Sequence, residues 1–322
     1  MKQQKSTRNR ARNWREYNQA LVKRGSLSIW VEEETLAHWR DQPSQESPRR
    51  RGAQRLYSDL AITLMASLQQ IYRLPLRGTE GLLGSIFTLM KLDLPLPHYS
   101  TLARRRMTLS IRLPRFSSSE SIHVLVDSTG IKVYGNGEWM RLKHHKGIPA
   151  KHRRWRRLHI AIDAETLSIV AAEVTDNDTT DGQMLPALLD QVPVEISQVT
   201  GDSGYDTRRC YTAIAKHNAR AVIRPRKNAK IWQHGNRSGT RLDRDENLRM
   251  IRKRGRKMWK RLSGYSSRAV VETTMSRIKM TFGDRVRSKR IEAQRSEILL
   301  RCVVLERMTA LGLPPAPLRV AA

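Results

Sequence analysis

Three acidic residues lie where they could hold metal ions for phosphodiester chemistry. Asp127 and Asp202 each end an apolar, strand-like run, and Glu272 lies in a predicted helix. Mg²⁺ prefers hard oxygen ligands, and two such ions can activate an attacking oxygen and stabilise a leaving one. Small residues follow both aspartates and would leave room for ions. These carboxylates therefore predict a catalytic centre with two Mg²⁺ ions, for which Mn²⁺ is an alternative.

Glu272 belongs to the pattern Tyr265-x-x-Arg268-x-x-x-Glu272-x6-Lys279. At about 100° per residue of an α-helix, these four side chains fall within an arc of about 60°. A phenol, a guanidinium, a carboxylate and an ammonium on one face suit a metal beside a phosphate backbone. We therefore predict DNA contacts for Tyr265, Arg268 and Lys279. The alternative is a surface helix with an Arg268–Glu272 ion pair, which leaves the other two residues unexplained.

The chain is strongly basic, with 60 Lys+Arg against 30 Asp+Glu and a net charge of +30. Such an excess repels itself unless a polyanion neutralises it, which predicts a nucleic-acid partner. The alternative is a ribosomal or histone-like binder without chemistry. No apolar stretch approaches the roughly 20 residues of a membrane span, so we expect no membrane association. Two distant cysteines, Cys210 and Cys302, favour a reducing cytoplasm over disulfides or zinc.

The N-terminal third divides into two segments of different character. Residues 1–53 are polar and rich in arginine, which predicts a basic, partly flexible arm. Residues 54–115 have apolar residues at helical spacing, which predicts three helices, the last beginning after Ser100. We expect an all-α, helix-turn-helix-like DNA-binding domain, or alternatively a three-helix cap with a solvated basic face. The predicted DNA contacts are Thr101, Arg104, Arg105 and Arg106.

Residues 120–310 alternate strand-like and helical patterns in the order β-β-β-α-β-α-β-α. This is the order of a ribonuclease-H-like α/β core, although a fold alone does not establish function. A basic insertion at about 226–263 interrupts the order, and we expect it to lie against nucleic-acid phosphate or to be a solvated helix face. The predicted strands are 122–127, 158–162, 167–174, 198–202 and 221–224, and the predicted helices are 184–189, 207–217 and 266–282.

Together these motifs resemble the DDE transposases of bacterial insertion sequences, in particular the insertion sequence five group with its Y-(2)-R-(3)-E-(6)-K signature. The segments 97–106, 124–130 and 201–206 are also similar to that group, and the resemblance covers about residues 55–310. It implies a transposase that binds terminal inverted repeats, cleaves the transposon ends and joins them to target DNA. It also implies a homodimer or higher oligomer on paired ends of double-stranded DNA, in the cytoplasm at the bacterial nucleoid.

Two other functions stay open: a structure-specific nuclease of the same fold, which cuts without joining, and a basic DNA-binding protein without catalysis.

Several further residues are not assigned to the site. The spacing of three further aspartates, Asp176, Asp178 and Asp181, does not match an EF-hand. It predicts a turn with helix-capping aspartates instead. We expect DNA contact for His144, His145 and His152, and burial for Trp139 and Trp155. Asp163 is expected to lie in a hairpin turn.

Overall fold

A computed structural model describes residues 14–27, 30–41, 55–133, 155–233 and 242–312. Its centre is a mixed six-stranded sheet in the order β3-β2-β1-β4-β5, with β6 paired to β1. Strand β2 is antiparallel to β1 and β3, whereas β4 and β6 run parallel to β1 and β5 runs parallel to β4. The strands are β1 Ile122–Val133, β2 Trp155–Asp163, β3 Ile169–Thr175, β4 Ile196–Gly201, β5 Arg220–Ile223 and β6 Arg285–Val286.

Helices cover both faces of this sheet. The helices that precede it are α1 Trp14–Lys23, α2 Glu33–Ala37, α3 Asp59–Tyr72, α4 Leu76–Leu89 and α5 Tyr99–Arg105. Those within and after it are α6 Asp181–Leu189, α7 Arg208–Lys216, α8 Asp243–Leu262, α9 Ala269–Phe282 and α10 Ile291–Ala310, with 3₁₀ turns at Ser203–Tyr205 and Tyr265–Arg268. The predicted order of strands and helices is present, and the mixed sheet fits a ribonuclease-H-like core.

The chain before residue 54 is not simply an arm. Trp30 and Trp39 are each 1% exposed and belong to the same hydrophobic core as the inner residues of α3 and β1. The Trp39 indole donates a hydrogen bond of 2.8 Å to the Pro95 carbonyl. Residues 30–41 are therefore fastened to the core, because burial of two large indoles stabilises this position. The basic, partly flexible arm over 1–53 stays a prediction for the rest of that segment.

The helices α3 to α5 share a core with the sheet. Helix α3 packs against α10, and the Arg301 guanidinium of α10 donates to the Gln70 side chain of α3 at 3.0 Å. Leu68 and Leu83 lie in one hydrophobic cluster with strand residues such as Leu125. A boundary near residue 115 therefore separates two segments that fold around one core. None of the helices in the described ranges combines the length and apolar character that crossing a membrane requires.

Candidate active site

The two aspartates lie at the same edge of the sheet, where the carboxyl end of strand β4 lies beside β1. Strands β1 and β4 are parallel neighbours with Leu125 opposite Thr200, so Asp127 and Asp202, two residues further along each strand, lie side by side. Asp202 directly follows β4, as predicted. Asp127 lies in the middle of β1, because β1 continues beyond β4 to pair with β2 and β6. The prediction that Asp127 ends its strand is therefore wrong, although the strand register still brings it next to Asp202.

Backbone amides orient one oxygen of each aspartate. The Ser128 amide donates to Asp127 Oδ1 at 2.8 Å, and the Gly204 amide donates to Asp202 Oδ1, also at 2.8 Å. An ideal Cβ on Gly204 would lie 2.9 Å from that same Asp202 oxygen, closer than real side chains approach. A side chain at position 204 would therefore push the Asp202 carboxylate out of its present place.

Arg268 connects the third carboxylate to the first. Its guanidinium donates to Asp127 Oδ2 at 2.8 Å and to Glu272 Oε1 at 2.7 Å. The Arg268–Glu272 ion pair of the surface-helix alternative is thus present, but the same guanidinium also reaches β1, which that alternative does not explain. The Glu272 side chain is 58% exposed and the Asp127 side chain 13%, so Arg268 connects an exposed carboxylate to a mostly buried one.

Negative charge at this edge is only partly neutralised. Burial raises the pKa of the Asp127 carboxyl, and the neighbouring carboxylates Asp202 and Asp181 raise it further, against lowering effects of the Ser128 amide and Arg268. The pKa of the buried Tyr205 phenol is raised by burial and by the same three carboxylates. A bound cation would relieve this repulsion directly.

Asp181 is a neighbour of the site that sequence reasoning missed. Strands β1 and β3 are both antiparallel to β2 and so run in the same direction, which brings the chain after β3 to the edge where Asp127 lies. There Asp181 accepts a hydrogen bond of 2.6 Å from the Ser128 hydroxyl. Helix capping itself is done by Thr180 and Gln183. A prediction of the strand order from the sequence would have placed Asp181 near Asp127.

The carboxylates fit a hard divalent cation by their chemistry, because Asp127, Asp202 and Glu272 offer only oxygen donors. Within the described ranges, however, no three acidic, histidine or cysteine side chains converge closely enough to hold a metal ion. The Arg268 guanidinium lies between Asp127 and Glu272 and satisfies both. In this arrangement Arg268, and not a metal ion, bridges Asp127 and Glu272.

Two family models match the chain, and both are described as transposase DDE domains. One matches residues 22–136, and the other matches residues 118–306, which is more than half of the chain. The chain belongs to the DDE transposase family. It is a transposase of the insertion-sequence type, and hence an enzyme of the polynucleotidyl transferase and endonuclease class. Membership of the insertion sequence five group stays a prediction.

Tyr265 does not have the position that the helical wheel gave it in this transposase. The stretch 265–268 is a 3₁₀ turn, and the α-helix begins only at Ala269, so the assumption of about 100° per residue fails there. The Tyr265 ring is 6% exposed and packs against Trp259 with ring centroids 5.0 Å apart. The ring is therefore largely withdrawn from solvent, and the DNA contact of Tyr265 stays a prediction. Lys279 is half-buried in the last turn of α9, and its DNA contact stays a prediction.

Two arginines of the predicted helix-turn-helix instead support the transposase fold. Arg105 forms an ion pair with Asp59 and donates to the Tyr57 carbonyl at 2.6 Å. Arg106 is buried and donates to the Gln69 side chain at 2.9 Å. Both guanidinium groups thus fasten α5 to α3 and to the nearby Tyr57 carbonyl, and their DNA contacts stay predictions. Arg104 is exposed and Thr101 half-exposed, so their DNA contacts stay predictions.

The other residues set aside in the sequence have the following places in the transposase. Asp163 is buried and accepts two hydrogen bonds from Thr166 in the hairpin turn, which confirms its structural role. Trp155 is half-buried and stacks directly on Gly130, where an ideal Cβ would lie 2.7 Å from its ring. Trp139, His144, His145 and His152 lie outside the described residues.

Proposed function

We propose that this transposase binds the terminal inverted repeats of an insertion sequence, cleaves its ends and joins them to target DNA. The observation that carries this proposal is the shared sheet edge, where Asp127 and Asp202 lie side by side and Arg268 connects Glu272 to Asp127. A net charge of +30 supports double-stranded DNA as the substrate. A homodimer or higher oligomer would bring two transposon ends together.

Asp127, Asp202 and Glu272 would hold two Mg²⁺ ions, or Mn²⁺ in their place. When bound, such ions activate an attacking oxygen and stabilise a leaving one. The amides of Ser128 and Gly204 keep Oδ1 of each aspartate fixed, and Oδ2 of Asp127 would become available once Arg268 releases it. The protein thus pre-organises the two aspartates before an ion or DNA arrives.

Arg268 and Lys279 would position the DNA backbone. Arg268 presents a planar fork that matches phosphate as well as it matches the carboxylates it now contacts. Released from Asp127 and Glu272, its guanidinium would lie next to the scissile phosphate. Lys279 acts as a point charge further along α9. In the helical segment, exposed Arg104 and half-exposed Thr101 would contact the terminal repeat.

An end-cleavage and joining assay tests this function. Purified protein is incubated with Mg²⁺, a duplex that ends in the inverted repeats flanking its gene, and a plasmid target. The proposal predicts cleaved ends and joined products. Cleavage without joining would instead support the structure-specific nuclease. Tight binding without cleavage would support a DNA-binding protein that lacks catalysis.

A further inference from the structure

We propose that Asp181 is a positioning residue that fixes the turns carrying Asp127 and Asp202 relative to each other, and so prepares both for metal binding. This inference rests on the proposed function, because it assigns a task at the same site. Asp181 opens α6, and both of its oxygens face the two turns rather than open solvent. Each contact can be followed to a metal-binding aspartate.

The first oxygen acts on Asp127 through Ser128. Asp181 Oδ1 accepts a hydrogen bond of 2.6 Å from the Ser128 hydroxyl. The amide of the same serine donates to Asp127 Oδ1 at 2.8 Å. Because Ser128 is held at its side chain, its amide is held as well, and the Asp127 carboxylate has a defined orientation. Such outer partners orient the ligands of metal sites in general.

The second oxygen acts on Asp202 through Gly204. An ideal Cβ on Gly204 would lie 3.4 Å from Asp181 Oδ2 and 2.9 Å from Asp202 Oδ1, so both carboxylates lie close to the same side of Gly204. The next residue of α6, Gly182, packs as closely: its ideal Cβ would lie 3.5 Å from the Gly204 carbonyl. The start of α6 thus supports the turn whose amide binds Asp202.

The charge of Asp181 is itself compensated. Arg157 on β2 forms an ion pair with Asp181 at 3.2 Å, and the start of a nine-residue helix favours a carboxylate. His159 is buried with Nδ1 3.5 Å from Asp181, and burial lowers its pKa to about 4, so it is neutral at pH 7. Its Nε2 pairs with the Thr175 hydroxyl at 2.9 Å. Asp181 therefore has partners without a metal ion, as a positioning residue requires.

The competing role for Asp181 is direct metal ligation, and substitutions separate the two. Asparagine keeps an acceptor oxygen for the Ser128 hydroxyl but loses the charge that a metal ligand needs. Ser128→Ala removes the hydrogen bond but leaves the Asp181 carboxylate intact. A positioning role predicts damage from Asp181→Ala and Ser128→Ala and rescue by Asp181→Asn. Ligation predicts equal damage from both Asp181 substitutions and little from Ser128→Ala.

The experiment measures Mn²⁺ binding to the full chain by calorimetry, without DNA, beside end cleavage and thermal melting. We expect Asp181→Ala and Ser128→Ala each to weaken Mn²⁺ binding roughly 10- to 100-fold. The double variant should be no worse than Asp181→Ala alone, because the contact that Ser128→Ala removes is one that Asp181→Ala already removes. Asp181→Asn should recover most of the loss. The matched control is Asp178→Ala, an exposed aspartate of the same segment, which should bind as the parent does.

Two results would overturn the inference: parental Mn²⁺ binding in both Asp181→Ala and Ser128→Ala, or equal damage from Asp181→Asn and Asp181→Ala with Ser128→Ala normal. If Asp181→Ala does not fold, as melting would show, Ser128→Ala and Asp181→Asn decide. Asp127→Ala separates this inference from the proposed function. Should Asp127→Ala cleave and bind Mn²⁺ normally, the site itself is wrong. If Asp127→Ala is the only variant with impaired cleavage and Mn²⁺ binding, the site is supported and the proposed role of Asp181 is wrong.

Discussion

At the scale of single residues, the active site concentrates charge that the fold neutralises only in part. Burial raises the pKa of Asp127, and the Ser128 amide and Arg268 do not fully offset that effect. An ionised Asp127 at neutral pH therefore destabilises the folded chain relative to a neutral side chain of the same shape. The cost is tolerated because an ionised carboxylate can bind a cation.

Asp127→Asn should therefore melt at a higher temperature than the parent at pH 7 in the presence of EDTA. A raised folded-state pKa means that the contribution of Asp127 to stability is complete below its ordinary value of 3.8 and is lost as the pH rises through the folded value. The advantage of the variant should thus vanish at acid pH. Melting curves across the pH range check this, with exposed Asp178→Asn as control. An advantage that grew towards acid pH would contradict the assignment.

Sequence reasoning located the carboxylates of the site better than its cations. Asp127 and Asp202 follow apolar runs, and parallel neighbouring strands carry such residues to one edge. A guanidinium has no comparable signal, because protein carbonyls and carboxylates accept its hydrogen bonds as readily as phosphate does. Arg105 and Arg106 were assigned to DNA because they end a short helix of a strongly basic chain, yet both bind protein acceptors. Asp181 was missed because its role depends on a neighbour 53 residues away.

At the scale of elements, α10 fastens the short strand β6 to the core. Glu297 in this helix is 1% exposed and accepts hydrogen bonds from the amides of Arg287 at 3.0 Å and Ser288 at 3.1 Å. It also forms an ion pair with Arg301 at 2.9 Å. Neither α10 nor β6 was predicted. The helix buries polar and apolar residues on several faces, so its sequence has no apolar stripe, and a strand of two residues leaves no pattern.

Glu297→Ala should destabilise the transposase by about 3–5 kcal/mol, because it leaves the Arg301 guanidinium buried without its charged partner. Urea unfolding, monitored by tryptophan fluorescence, measures this change. The matched control is Glu292→Ala, an exposed glutamate in the first turn of the same helix, for which we expect a change within about 0.5 kcal/mol. Equal stabilities of the two variants would show that the Glu297 contacts contribute little.

At the scale of the whole molecule, positive charge is concentrated on α8. All six residues from Arg252 to Lys257 are exposed, and the helix is interrupted among them at Gly255, where φ is 78° and ψ is 159°. The start of the same helix is buried, with Asp245 fully inside. The predicted insertion is therefore anchored on both sides of its basic stretch, by Asp245 before it and by the fully buried Trp259 after it, and presents that stretch to solvent. The composition indicated the charge, but only the packing shows how the basic stretch is anchored.

The triple variant Lys253→Ala, Arg254→Ala, Arg256→Ala should bind DNA more weakly, with a shallower dependence on salt. If each cation neutralises one phosphate, the slope of log affinity against log salt should fall by about 3. Fluorescence anisotropy with an end duplex at several salt concentrations measures this slope. The control removes the same charge from scattered exposed lysines: Lys23, Lys216 and Lys289. Equal slopes for the two triple variants would show that α8 is no preferred DNA surface.

We propose that Asp127, Asp202 and Glu272 together form one metal-dependent cleavage centre. The most direct measurement compares the single variants Asp127→Ala, Asp202→Ala and Glu272→Ala in end cleavage with Mg²⁺ and, separately, in end binding. Each variant should lose cleavage and keep DNA binding, whereas the control Asp178→Ala should keep both. Near-normal cleavage by any one of the three variants would contradict the claim.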